Sequence, residues 1–263
     1  MNRLAIAAVF ALGLIPGVSS AVEINNIRPC YFPFGATRLN TSCLPGDVLW
    51  LTYDIEGLAI KDGNVNYVTI LELFDPKGKS LFKEENENKV SPQLGGASMP
   101  GDLHVIVGPK LAPGKYSIKF SVHDKNGKDA KAFSYPFDVV PETFGFVGVS
   151  APAVGFPGQR YVTGFALVNM TLDAKKNPNA EITIRILDAK KAEVSKVKMF
   201  LPRDLPDNTD LDKANFVPLS YPIFLNRAGR YTIQVNAIDK NGNKMAELSY
   251  PLTVADLGGF AGR

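Results

Sequence analysis

The sequence predicts an all-β chain of two tandem β-sandwich domains, and three observations predict it. The end of the chain is written twice: Gly114 to Val140 reads GKYSIKFSVHDKNGKDAKAFSYPFDVV, and Gly229 to Ala255 reads GRYTIQVNAIDKNGNKMAELSYPLTVA. At a constant offset of 115 residues, 11 of these 27 positions are identical, which marks a repeated unit the size of a small domain. Apolar residues alternate with period two through much of each copy, as half-buried strands require. No convincing amphipathic helix breaks that pattern.

The repeat extends upstream. Pro45-Gly46 opens an apolar run in the first copy, as Pro157-Gly158 does in the second. NYVTILELFDPKGK from Asn66 is then matched by AEITIRILDAKKAE from Ala180. Each copy reads as about seven strands. The first has them near residues 23–28, 47–55, 65–74, 79–85, 102–107, 115–123 and 131–140. The second has them near 144–150, 160–169, 180–187, 192–200, 216–224, 230–238 and 245–254. Turn signals separate them, chiefly Asp75-Pro76-Lys77-Gly78, Asn126-Gly127 and Asn241-Gly242. The two Asn-Gly pairs predict type I′ hairpins with positive φ at both central residues.

Composition bounds the partners. Hydrophobic residues are 45% and charged residues 21% of the 263, enough for packed cores in two ordinary domains. The formal charge is +3 with no basic run, which gives a nucleic-acid partner little support. Asn2-Arg3, an apolar stretch from Leu4 to Val18 and the small residues Ser19, Ser20 and Ala21 predict a signal peptide over residues 1–21. An uncleaved anchor is the alternative. No later segment is long and apolar enough to span a bilayer as a helix, so no transmembrane segment is expected in the mature chain. The expected domains are then 22–141 and 142–256, with a flexible Gly-rich tail at 257–263. Export places the protein in a secreted, periplasmic or cell-surface setting. There Cys30 and Cys43, the two cysteines, are expected to form a disulfide; free thiols or half a metal site are the rival readings.

One detail narrows the sandwich. Leu111-Ala112-Pro113-Gly114-Lys115-Tyr116-Ser117-Ile118 sets a Tyr just after a turn, with an apolar residue two positions on. Asn226-Arg227-Ala228-Gly229-Arg230-Tyr231-Thr232-Ile233 repeats it. Both resemble the tyrosine corner of immunoglobulin-like and fibronectin-III-like domains, which makes Tyr116 and Tyr231 structural. Ile118 and Ile233 stand where antibody-type domains carry a cysteine, and Trp50 reads as core. The set Cys30…Cys43-x-x-Gly46-Asp47, Tyr53-Asp54-Ile55-x-Gly57-Leu58, Leu94-Gly95-Gly96 and Pro113-Gly114-x-Tyr116 is similar to secreted bacterial proteins of a planctomycete type. That resemblance implies export and tandem sandwiches, and no chemistry.

Candidate chemistry is sparse. His104 and His123 lack a nucleophile context, and His123 is matched by Ile238 in the second copy. There is no G-x-S-x-G, H-E-x-x-H or phosphate-cradling loop. The expectation is therefore no catalytic residue, no metal and no cofactor. A carboxylate-based hydrolase is the alternative, since two acids suffice for glycoside cleavage. Asp124-Lys125-Asn126-Gly127-Lys128-Asp129 resembles half a calcium loop, but its second copy keeps only the turn formers. In the long segment 201–215, Asp204, Asp207, Asp210 and Asp212 offer oxygen ligands to Ca²⁺, against the reading of a solvated acidic connector. Tyr31, Phe32 and Phe34 form the densest aromatic cluster; they offer a binding surface or plug the N-terminal core. The functional expectation is a non-catalytic binding or scaffold protein of the cell envelope, with a protein or glycan as partner. A glycan-binding accessory module of a carbohydrate-active system is the alternative.

Overall fold

The computed structural model describes residues 21–92, 98–202 and 216–256. All its regular elements there are strands. The first set is β1 (Glu23–Cys30), β2 (Ser42–Cys43), β3 (Val48–Glu56), β4 (Ile60–Lys61), β5 (Asn64–Phe74), β6 (Ser80–Val90), β7 (Met99–Ile106), β8 (Gly114–Asp124) and β9 (Ala130–Val139). The second is β10 (Gly145–Ser150), β11 (Val154–Gly155), β12 (Arg160–Val168), β13 (Ala180–Asp188), β14 (Glu193–Leu201), β15 (Phe216–Phe224), β16 (Gly229–Asp239) and β17 (Lys244–Val254). All fourteen expected strands are present, and the short β2, β4 and β11 are additional.

Four sheets result. The first set forms a sheet β1-β3-β7 and a second, β2-β9-β8-β5-β4, with β6 paired to β5. The second set forms β10-β12-β15 and β11-β17-β16-β13-β14. Alternation decides the packing. In β8, Tyr116, Ile118, Phe120 and Val122 are buried on one face. They share one apolar cluster with Leu49, Leu51 and Ile55 of β3. In the second set, Ile233 and Val235 of β16 share a cluster with Phe165 and Leu167 of β12. Each fully buried Ile contributes roughly 1.5–3 kcal/mol over an exposed one.

The Asn-Gly turns differ from expectation. Positive φ falls at Lys128 (66°) and Asn243 (50°), after the Asn-Gly pairs. The motif acts as a brace instead. Asp124 Oδ2 accepts Ala59 N at 2.8 Å, and Asn126 Nδ2 donates to Ala59 O at 3.0 Å and Asn64 O at 3.2 Å. Its copy repeats this: Asp239 Oδ2 accepts Thr171 N at 2.9 Å, and Asn241 Nδ2 donates to Thr171 O at 3.0 Å and Asn177 O at 3.1 Å. A Cβ at Gly127 would stand 2.6 Å from Asp124 Oδ2, so the brace itself demands glycine.

The expected disulfide is absent. Cys30 and Cys43 are both buried free thiols. The register Cys30↔Trp50 puts Cys30 on the outer face of β1-β3-β7, where its thiol reaches Thr52 and the backbone of Phe32 and Gly35. Cys43 lies in the apolar cluster on the inner side, its thiol facing Thr41 O at 3.7 Å. Sequence spacing does not disclose that the two side chains take different sides of a sheet.

The segment 31–47 joins the two sets. Ala36 N donates to Ala151 O at 2.6 Å, and Ala36 itself is buried in the second cluster. Tyr31 packs edge-on against Tyr250 of β17, with ring centroids 6.2 Å apart. Arg38 and Asp47 are buried at 6% and 3% exposure and form an ion pair of 2.6 Å. Asp47 Oδ1 also accepts Gly148 N at 3.3 Å, across the joint. Burial, the largest single influence, would lower the Arg38 pKa, but Asp47 together with Cys43 and Tyr31 outweighs it and the net shift is upward, so the guanidinium stays charged.

Candidate functional site

The outer face of β1-β3-β7 carries a row of rings. Leu49, Leu51 and Tyr53 of β3 turn inward, so Val48 and Trp50 turn out. The register Trp50↔His104 brings the indole beside the imidazole of β7, with centroids 4.4 Å apart and planes at 31°. Phe32, at 46% exposure, extends the row with its centroid 6.4 Å from that of Trp50. Thr52 and Asp102 are paired two residues further along the same strands; Thr52 is buried, and the exposed Asp102 supplies a polar group beside the rings.

Arg28 steadies this surface from below. Its Nη1 donates to Gly35 O at 2.9 Å, holding the loop that presents Phe32. A Cβ at Gly35 would lie 2.8 Å from Ala151 O and 2.9 Å from Phe32 Cβ, so the loop needs glycine there. Phe34 is exposed and takes a φ of 53°. The second copy lacks the row. Counting back from the equivalent residues Val107 and Leu225, Val162 and Pro222 stand where the first copy has Trp50 and His104.

The sequence-derived residues therefore part company. Phe32 and Phe34 are on the surface, while Tyr31 belongs to the joint, where Arg38 also sits over its ring at 5.3 Å. Trp50, expected in the core, is half-buried on the outer face, and His104 is its partner. Period-two counting through Val48, Trp50, Thr52 and Asp54 carried that signal. His123 is exposed and stands 3.3 Å from Ser121 Oγ. Tyr116 Oη donates to Ala112 O at 2.8 Å and Tyr231 Oη to Arg227 O at 3.0 Å, four residues upstream in both copies. Asp204, Asp207, Asp210 and Asp212 lie outside the described residues. Among the described residues, no group of three or more His, Cys, Asp or Glu is placed to hold a metal ion, and no helix is long and apolar enough to cross a membrane.

No protein-family model matches the chain, and no curated protein matches it. Among solved structures it is similar to the alkylpurine DNA glycosylase AlkC of Pseudomonas fluorescens, bound to DNA containing an abasic site analog. The match has 14% identity and a TM-score of 0.32, over 46% of this chain and 31% of that one. At that TM-score the likeness carries no inference about fold or activity.

Proposed function

We propose that the chain is an exported, non-catalytic binding protein of two tandem immunoglobulin-like sandwiches, residues 22–141 and 142–256, behind a signal peptide. The paired sheets over separate clusters and the two backward Tyr hydrogen bonds support the sandwich reading. Its recognition surface is the Phe32–Trp50–His104 row, and the observation that carries this is the Trp50–His104 stack on an outer sheet face. Aromatic rings in water bind ligands that present a flat apolar side, because contact removes both faces from water.

The glycan-binding reading is favoured by the same row, since the C–H face of a sugar ring fits a half-exposed indole. The test is direct, because Trp50 is the single tryptophan. Titrating the mature protein with soluble cell-wall polysaccharides is expected to shift Trp50 emission. Phe32→Ala is expected to weaken that binding by roughly 1 kcal/mol, about the value of one aromatic contact. If no polysaccharide moves the emission, the glycan reading falls and a protein partner on this face remains. If a partner is found and Trp50→Ala leaves its affinity unchanged, the row is not the surface.

A further inference from the structure

The two copies differ at the open edge of their smaller sheets. Among the described residues, strand β7 pairs only with β3, and β15 only with β12. Neighbouring hydrogen bonds fix which backbone groups face outward. Val107 N donates to Asp47 O at 2.8 Å, and Gly46 N to Val107 O at 2.7 Å. Alternation then turns the N–H and C=O of Asp102, His104 and Ile106 away from β3, toward the open edge. In the second copy Leu225 N donates to Gln159 O at 3.1 Å, and Gly158 N to Leu225 O at 2.7 Å. There the outward positions include Pro218, Ser220 and Pro222.

Proline has no N–H, so two outward donors of β15 are missing, which is how natural sheets blunt an edge. Strand β7 carries His104 where the other copy has Pro222. Its three successive outward donors are intact, and its own Pro100 lies at the strand start. Beside this edge a cleft of about 490 Å³ opens between β6 and β7, with Leu71, Leu73 and Phe120 among its apolar lining. Glu84 and Asp102 are the acidic residues of that lining, and neither is ion-paired among the described residues.

We propose that β7 is a docking edge for an extended polypeptide segment that alternates apolar with basic residues. The segment adds as a strand along Asp102–Ile106. Its apolar side chains enter the cleft between the sheets, and its basic ones, on the opposite face of the added strand, meet Asp102. The proposal rests on the reading of the chain as a binding protein, and it does not need the aromatic row.

The probe is a blocked, labelled peptide of about eight residues alternating Val and Lys, with a Val/Glu peptide as counter-probe. Anisotropy is expected to show saturable binding of the Lys peptide, roughly tenfold tighter than the Glu peptide. His104→Pro removes one outward N–H and leaves the β3 side of the ladder intact; it is expected to weaken binding roughly tenfold. His104→Ala keeps the N–H and is expected to hold affinity within about twofold. In the wild-type protein, amide exchange at Asp102, His104 and Ile106 is expected to slow when the peptide binds, a readout independent of any variant's folding. Trp50→Ala is expected to bind the peptide as wild type does, so failure of the aromatic surface and failure of the edge are separable. No saturable binding of the Lys peptide, equal affinity for both peptides, or binding without protection of those amides overturns the proposal.

Discussion

At Cys43 the thiol sits among core side chains, and burial pushes its pKa from the ordinary 9.0 to about 12, with Arg38 opposing and Asp47 and Asp138 reinforcing the shift. Between about pH 9 and about pH 12 the unfolded chain has released this proton while the folded chain holds it. The folded state then binds more protons, so stability is whole below about 9 and falls as pH rises through that window. Tyr53, Tyr161 and Tyr250 are also raised, chiefly by burial, and add to the loss with the same sign. Urea midpoints measured across that range are expected to fall steadily, and Cys43→Ala to make the fall shallower. A flat profile contradicts the burial. Residue-level chemistry was the least legible part of the sequence. The run Val48-Leu49-Trp50-Leu51 is apolar throughout, so composition hid the fact that every second side chain faces out. Likewise the count of two cysteines could not show that a sheet stands between them.

Strands were legible because alternation is local, and β8 and β16 show the pattern in full. The missed elements, β2, β4 and β11, are two residues long and exist only because a neighbouring strand offers a partner. The Asp-Lys-Asn-Gly turns join β8 to β9 and β16 to β17 without the expected type I′ geometry, and their reach was not visible. Asn126 secures a loop more than sixty residues earlier, and Asn241 does the same in its copy. Asn126→Ala leaves two carbonyls, of Ala59 and Asn64, without that donor. At roughly 0.5–1.5 kcal/mol per bond, the expected loss is about 1–3 kcal/mol, measurable by thermal or urea unfolding. Asn241→Ala is expected to lose a similar amount, since its partners are equivalent. A near-zero effect at both sites would remove the brace from the account of the repeat. The sequence also showed Pro218 and Pro222 openly, yet their meaning depends on ladder phase, which only three-dimensional pairing reveals.

At the scale of the whole molecule the two sets of sheets are not simply joined in series, because the segment 31–47 belongs to one set and buries Ala36 in the cluster of the other. Asp47 holds both Arg38 and the Gly148 amide, so Asp47→Ala strands a buried guanidinium and releases the joint. Losing one partner of such a buried pair costs about 3–5 kcal/mol, to be read as a lower urea midpoint for the whole chain. Unfolding followed by Trp50 emission and by far-ultraviolet circular dichroism is expected to give one coincident transition in the wild type. Two separate transitions would show that the joint does not couple the sets. The place of Trp50 gives that comparison its force. The sole indole lies on one outer face of the first set, so the second set is dark in tryptophan emission. A perturbation confined to β10–β17 that nonetheless dims or reddens that emission must have passed through the Ala36 joint, which makes the molecule its own optical gauge of communication between its halves.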